Sequence, residues 1–168
     1  MTKTKGAVPR RILLAIELLL IAALYNYAGL MPETFGGRPL LLAAAALSVS
    51  ACADTPTSVI CGALCGALAD IFSSGGIGFY AIALSLCGYA IPELLSKKLN
   101  PNFYSALLLI CSASVVTITA RYAVNAFTYG FADSAVLYLY HGLSKIVLTF
   151  TAAVPLYFLN RLILGGGR

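Results

Sequence analysis

The hydrophobic residues of this chain fall into six apolar segments separated by short breaks of polar residues, Gly and Pro. A transmembrane helix needs about 20 apolar residues to cross the hydrocarbon core of a bilayer. The 168 residues therefore leave room for six such helices only if the loops are short, and they are. The segments predicted as helices are Ile12 to Met31, Leu40 to Ala53, Thr57 to Phe72, Ile77 to Leu95, Phe103 to about Phe127, and Ser134 to Leu164.

The second and third segments are short for membrane spans, so the break between them decides the topology. Asp54, Thr55 and Pro56 form a turn signal that a continuous helix would not contain. Two topologies compete: six spans with a tight turn at this point, or five spans in which residues 40–72 cross once. With a cytoplasmic N-terminus, six spans keep eight of the eleven basic residues on the inner side, as the positive-inside rule requires, whereas five spans move Lys97 and Lys98 outside. The eight residues are Lys3, Lys5, Arg10, Arg11, Lys97, Lys98, Arg161 and Arg168.

We therefore predict an all-α integral membrane protein, a compact bundle of six transmembrane helices that forms a single transmembrane domain over residues 1–168. Both termini are predicted to be cytoplasmic, with a basic N-terminus at 1–11 and a flexible tail at 165–168. The short second and third helices must be tilted, shielded by neighbouring helices or accompanied by local thinning of the bilayer. Pro155 predicts a kink in the last helix rather than its end, because neighbouring helices satisfy the freed carbonyl.

Composition supports this interpretation and excludes other classes of protein. Hydrophobic residues make up 60% of the chain and charged residues 10%, whereas roughly a quarter of an average soluble domain is charged. A water-soluble globule and a disordered chain are therefore excluded. The net charge of +5 lies at segment ends, which favours contact with the bilayer over nucleic acid. The five cysteines lie in apolar segments without further metal ligands nearby, so neither a metal nor a cofactor is predicted.

Ionisable residues inside apolar segments are the first candidates for function, because a charge at the centre of a membrane helix costs about 2.5 kcal/mol or more. Glu17 is interpreted as a carboxylate that snorkels to the inner interface or pairs with a basic neighbour. Asp70 ends the third segment, where it either caps the following helix or pairs with a cation. The six-span topology places four charged residues on the outer side, and we call them the outer polar cluster: Asp70, Arg121, Asp133 and Lys145.

His141 is a further candidate near this cluster, since it shares a helix face with Lys145 at i,i+4 spacing. A lone His without a nucleophile or carboxylate at fixed spacing is weak support for catalysis. The chain also contains no nucleophile elbow, no Walker lysine and no His-Glu-x-x-His motif. No catalytic residue is predicted, and the chain is not expected to be an enzyme.

Small residues form the clearest pattern of the third segment. Gly62 and Gly66 give a Gly-x-x-x-Gly face, which lets two helix backbones approach closely and gain dispersion contact that lipid cannot supply. Such a face packs either on another helix of the same chain or on a partner subunit. Both alternatives remain open at this point.

The same stretch resembles a known family. The Gly-x-x-x-Gly-x-x-x-Asp segment and the glycine-rich turn after it are similar to those of the rod shape-determining protein MreD. The residues that carry the resemblance are Gly62, Gly66, Asp70, Gly75 and Gly78, with Arg38 and Pro39 upstream as the lead into the second helix. Chain length, short loops and six spans agree, so the resemblance covers nearly the whole chain. It also implies a fold similar to the S-components of energy-coupling factor transporters.

The resemblance implies a non-enzymatic scaffold of the bacterial cell-elongation machinery in the cytoplasmic (inner) membrane. Proteins of this family bind the bitopic scaffold MreC. Through it they are linked to MreB and to the wall synthases, a SEDS glycosyltransferase and a class B penicillin-binding protein, which localises peptidoglycan synthesis. The small-residue faces are expected to pack on the partner's single span.

The likeness to S-components supplies an alternative function, the binding of a small vitamin-like substrate in an outward-facing pocket. The chain has no Trp and brief loops, which argues against such a pocket, although Asn125, Tyr129, Tyr138 and Tyr140 are available to line one. A channel or secondary carrier would need a midplane ionisable pair or repeated halves. Glu17 alone is weak support for a channel or secondary carrier.

Overall fold

The structure, a computed structural model, describes residues 7–26, 40–72, 78–97, 102–129 and 138–164. These residues are helical apart from short connections, as the apolar segments predict. The helices are α1 (Ala7–Asn26), α2 (Leu41–Cys52), α3 (Thr55–Phe72), α4 (Phe79–Lys97), α5 (Phe103–Tyr129) and α6 (Leu143–Leu164), with a π-helical turn at Tyr138–Gly142 before α6. Residues 1–6 of the predicted basic N-terminus and the predicted tail at 165–168 lie outside the described residues.

The helix α2 lies at the centre of the bundle. Residues 42–50 are all buried, and α2 packs against the other five helices. Its 12 residues extend only about 18 Å, well short of the ~30 Å of a hydrocarbon core. The two buried serines, Ser48 and Ser50, donate hydrogen bonds to carbonyls of α2 itself, so their hydroxyl hydrogens are satisfied within the helix. Of the three explanations for a short second helix, shielding by neighbouring helices therefore applies to α2.

The break between α2 and α3 is a short turn at the predicted place. The helix α2 ends at Cys52, Ala53 is extended, and α3 begins at Thr55. Pro56 lies in the first turn of α3, where a helix does not need the missing N–H. Because α2 and α3 pack on each other, residues 40–72 form two helices, whereas the five-span topology requires one continuous crossing.

Proline lies inside two of the long helices. Pro92 is in α4 and Pro155 is in α6, and both helices continue past these residues. The prediction that Pro155 does not end the last helix is therefore confirmed. The last predicted segment is nevertheless not one helix throughout, since α6 begins at Leu143 after the π-helical turn.

Four of the described helices, α3, α4, α5 and α6, are long and apolar enough to cross a membrane. The helix α1 contains a shorter apolar stretch, Ile12–Tyr25, and α2 is shorter still. Large hydrophobic side chains cover the outer faces of the bundle, as expected of a protein that is surrounded by lipid. Examples are Leu19, Leu20, Ile60, Leu64, Ile82, Leu108, Val147 and Leu162.

One end of the bundle collects most of the polar residues singled out above, and we call it the α3–α4 end. The helix α3 ends there and α4 begins. The end of α1 lies beside them, since the rings of Tyr25 and Phe72 are 6.0 Å apart. The second half of α5 reaches the same end through Arg121, whose guanidinium lies over the ring of Phe79.

Candidate functional site

The small-residue face of α3 is packed against α4 of the same chain. A Cβ at Gly66 would lie 2.5 Å from Ala81 Cα, and one at Gly62 would collide with the Leu84 carbonyl. On the facing helix, a Cβ at Gly88 would lie 2.6 Å from Ser58 O. Since all three clashes are with backbone atoms, the two helices are in direct backbone contact. A partner helix cannot occupy this face without displacing α4, so of the two alternatives the structure contains packing within one chain.

Asp70 caps the beginning of α4. Its Oδ1 accepts a hydrogen bond from the Tyr80 N–H (3.1 Å), and its Oδ2 accepts from the N–H groups of Gly78 (3.1 Å) and Ala81 (3.0 Å). The first N–H groups of a helix have no partner within it, and a carboxylate there is also favoured by the helix dipole. The capping role proposed for Asp70 from the sequence is therefore present in the structure.

Gly78 contributes to this cap through its backbone. Its φ is +103°, a conformation that is strained for residues with a side chain, and a Cβ there would meet no atom within 4 Å. The requirement for glycine is therefore conformational rather than steric, in contrast to Gly66.

The outer polar cluster is divided between two aromatic platforms. Arg121 lies over the rings of Phe79 and Tyr80, with its Cζ 5.4 Å from each centroid. Lys145 at the beginning of α6 lies over the ring of Tyr122, with its Nζ 5.8 Å from the centroid. Asp70 is engaged at the start of α4, next to the first of these platforms. Among the described residues, the printed contacts of the two cations are therefore with aromatic rings.

The remaining candidates are placed as follows. His141 belongs to the π-helical turn and is half-buried. Four predicted site residues lie outside the described part of the chain: Arg38, Pro39, Gly75 and Asp133. Within the described part, no three His, Cys, Asp or Glu side chains are close enough to hold a metal ion.

A second polar site, which the sequence did not reveal, lies where α1, α2 and α6 meet. Asn160 Nδ2 donates to Glu17 Oε1 (3.1 Å) and to Ser48 Oγ (3.1 Å). Asn160 is fully buried and Glu17 is 8% exposed. The snorkelling interpretation of Glu17 is therefore wrong, because its carboxyl group points into the bundle. Among the described residues, Glu17 Oε2 and Asn160 Oδ1 have no hydrogen-bond partner.

The sequence feature that could have indicated this site is the presence of polar residues within the last apolar segment. Asn160 joins α6 to α1 and α2, and Thr149 joins α6 to the start of α2 by accepting a hydrogen bond from the Leu40 N–H (3.1 Å). An amide or hydroxyl in a membrane helix commonly bonds across to a neighbouring helix. The sequence shows such residues but not which helix they meet.

An apolar groove lies between α1 and α3. It has a volume of about 620 Å³ and opens to the outside of the bundle. The groove is lined from α1 by Leu14, Ala15, Leu18, Leu19 and Ala22, and from α3 by Pro56, Thr57, Ile60, Cys61, Leu64, Cys65 and Leu68. It is a concave part of a largely apolar outer surface.

Comparison with known families assigns the chain. The family model described as rod shape-determining protein MreD matches residues 10–165, nearly the whole length. The chain belongs to the MreD family. No curated protein and no solved structure matches it. The resemblance found in the glycine and aspartate pattern is thereby confirmed.

Membership of the MreD family gives the chain a role in rod shape determination. The four long apolar helices and the family together make it a multi-pass membrane protein. MreD proteins are shape-determining structural proteins and not a known enzyme family.

Proposed function

We propose that this protein is a membrane scaffold of the bacterial cell-elongation machinery that binds MreC and helps to localise peptidoglycan synthesis. The observation that carries the proposal is the family match over residues 10–165. MreB and the wall synthases, a SEDS glycosyltransferase and a class B penicillin-binding protein, are reached through MreC and not contacted directly. Binding then comes from helix packing rather than catalysis.

The proposal includes a location and a topology. All six helices cross the cytoplasmic membrane, and both termini are cytoplasmic. Burial of α2 supports six crossings, because a helix surrounded by protein need not match the bilayer by its own length. Charge supports the orientation, since Lys97 and Arg161 end α4 and α6, the helices that return to the N-terminal side.

We expect the single span of MreC to lie in the groove between α1 and α3. The glycine face of α3 is filled by α4, so the partner must use an outer face. A concave apolar surface contacts a helix from two sides and gains more dispersion energy than a flat one. Leu64 is in the groove and 57% exposed, whereas Leu86 is similarly exposed, at 63%, on α4.

The test is purification of the tagged protein from native membranes, followed by identification of the co-purified proteins. Recovery of MreC is the expected result. Recovery of transporter ATP-binding subunits with a bound small molecule would instead favour the S-component alternative. Failure to recover MreC under conditions that keep the membrane complex intact would contradict the scaffold function.

The position of the interface is tested by a photo-crosslinking amino acid at Leu64 or, as a matched control, at Leu86. We expect a crosslink to MreC from position 64 and none from position 86. A crosslink from position 86 alone would refute the groove as the docking surface while leaving the association itself intact.

A further inference from the structure

Glu17 is enclosed where α1, α2 and α6 meet. Its Oε1 accepts a hydrogen bond from Asn160 Nδ2 on α6, and the same amide nitrogen lies 3.1 Å from Ser48 Oγ on α2. Glu17 Oε2 is buried, and Asn160 and Ser48 are fully buried. Three helices therefore bring these polar groups together away from water.

Hydrogen-bond donors are scarce in this cluster. The amide nitrogen of Asn160 carries two hydrogens. Three oxygen atoms lie within 3.1 Å of it: Glu17 Oε1, Ser48 Oγ and the Leu156 carbonyl oxygen. The Ser48 hydroxyl adds no donor, because it donates to the Ala45 carbonyl (2.8 Å). Within the described part of the chain, the carboxyl group of Glu17 thus receives at most one hydrogen bond, and that bond comes from a neutral amide.

The titratable side chains near Glu17 on the described helices that pack on α1 do not offset a negative charge. They are thiols and a phenol, which are ordinarily neutral at pH 7: Cys52 on α2, Cys61 and Cys65 on α3, and Tyr157 on α6. Arg161 follows Asn160 but is exposed. On α1 itself, Arg10 and Arg11 are about 9 Å or more from Glu17 along the helix axis. A carboxylate in such surroundings is unfavourable, because burial of a charge is costly unless it is paired and well hydrogen-bonded.

We propose that Glu17 binds a proton and is a neutral carboxylic acid in the folded protein at pH 7. The added hydrogen supplies a donor to a cluster rich in oxygen atoms, and it removes a charge from between three helices. The neutral carboxyl group still accepts the hydrogen bond from Asn160. Ser48 and Asn160 are each about one turn from the ends of α2 and α6, so the proton exchanges with water at that end of the bundle. The proposal does not depend on MreC binding.

The test is infrared spectroscopy of the full chain in dodecyl maltoside, a detergent without a carboxyl group. An isotope label in the side-chain carboxyl carbon of glutamate separates its bands from those of aspartate, and the acid and carboxylate forms absorb at well separated frequencies. The chain contains three glutamates, Glu17, Glu33 and Glu93. The first variant is Glu17→Gln, and the matched control is Glu93→Gln, which removes the carboxylate that pairs with Lys97.

A double variant, Glu33→Gln with Glu93→Gln, leaves Glu17 as the one labelled carboxyl group and keeps the test decisive if Glu17→Gln fails to fold. Circular dichroism confirms that each variant is folded. At pH 7 we expect a labelled acid band in the wild type, in Glu93→Gln and in the double variant, and its loss in Glu17→Gln.

Thermal unfolding at several pH values gives a second readout. A glutamate in an unfolded chain is ionised above about pH 5, so unfolding releases the proton and its equilibrium constant rises about tenfold per pH unit from this residue alone. The unfolding midpoint of the wild type should therefore fall relative to that of Glu17→Gln as the pH is raised from 5 to 8.

Three results would overturn the proposal. The lack of a labelled acid band in the wild type or the double variant would show that Glu17 is a carboxylate, held by a cation. A band that persists in Glu17→Gln would assign the proton to a different glutamate. A difference in midpoint that does not change with pH would show that folding takes up no proton at this residue.

Discussion

Replacement of Gly66 by Ala adds one methyl group at the closest contact between α3 and α4. The new Cβ would lie 2.5 Å from Ala81 Cα and would collide with the Tyr80 carbonyl. Two effects oppose each other. Ala is favoured over Gly inside a helix by about 1 kcal/mol. Overpacking against well-packed atoms costs typically about 1–3 kcal/mol. Backbone atoms cannot rotate away as side chains do, so we expect the upper part of that range and a net destabilisation of about 2 kcal/mol.

Thermal unfolding in detergent micelles, followed by circular dichroism at 222 nm, measures this effect. The chain has no Trp, so helical signal is a more direct probe than intrinsic fluorescence. The matched control is Ala67→Leu, one residue along the same helix, which adds more atoms at an exposed position. Gly66→Ala should unfold at a temperature several degrees below that of the wild type. Ala67→Leu should unfold at the same temperature as the wild type.

Two results would refute this reasoning. If Gly66→Ala unfolds at the same temperature as the wild type, α4 does not lie against Gly66 at the distance described. If the variant keeps its stability but no longer recovers MreC, the glycine face binds the partner and not α4.

The same unfolding measurement tests substitutions at three further positions. Asp70→Ala should lower stability by about 1–3 kcal/mol, because it leaves N–H groups at the start of α4 without an acceptor. Asp70→Asn should lower stability by less. An unchanged unfolding midpoint for Asp70→Ala would show that α4 needs no cap. Gly78→Ala should cost about 1–3 kcal/mol through its positive φ alone, so a neutral result would contradict the backbone conformation. Glu17→Gln should be close to neutral, since the amide oxygen still accepts the hydrogen bond from Asn160, whereas Glu17→Ala should cost about 1–3 kcal/mol because it removes this acceptor. Equal loss in both would argue against the buried cluster.

Local features of this fold were predictable from the sequence because they depend on neighbours along the chain. The turn at Asp54 follows from turn residues between two apolar runs, and the cap by Asp70 was one of the two alternatives indicated by a carboxylate shortly before a helix start. The continuation of α6 past Pro155 follows from the way membrane bundles satisfy freed carbonyls. Each of these required only a few consecutive residues.

Features that join distant helices were not predictable in the same way. Glu17 and Asn160 are 143 positions apart, and nothing in either segment indicates the other. The pattern at Gly62 and Gly66 correctly indicated a close helix contact but not the identity of the opposite helix, since both alternatives bury the same small residues. Arg121 was assigned to the outer polar cluster because the six-span topology places it on the outer side, and topology alone does not indicate that its guanidinium lies over the rings of Phe79 and Tyr80.

The enclosure of α2 also constrains how the protein is made. A stretch of 12 residues that includes two serines is too short to partition stably into a bilayer by itself as it leaves the ribosome. Its stabilising contacts come from helices that are synthesised afterwards, above all α3 and α6. During biogenesis we therefore expect α2 to be shielded from lipid by the insertion machinery or by a hairpin with α3 until α6 has been translated and the bundle is complete.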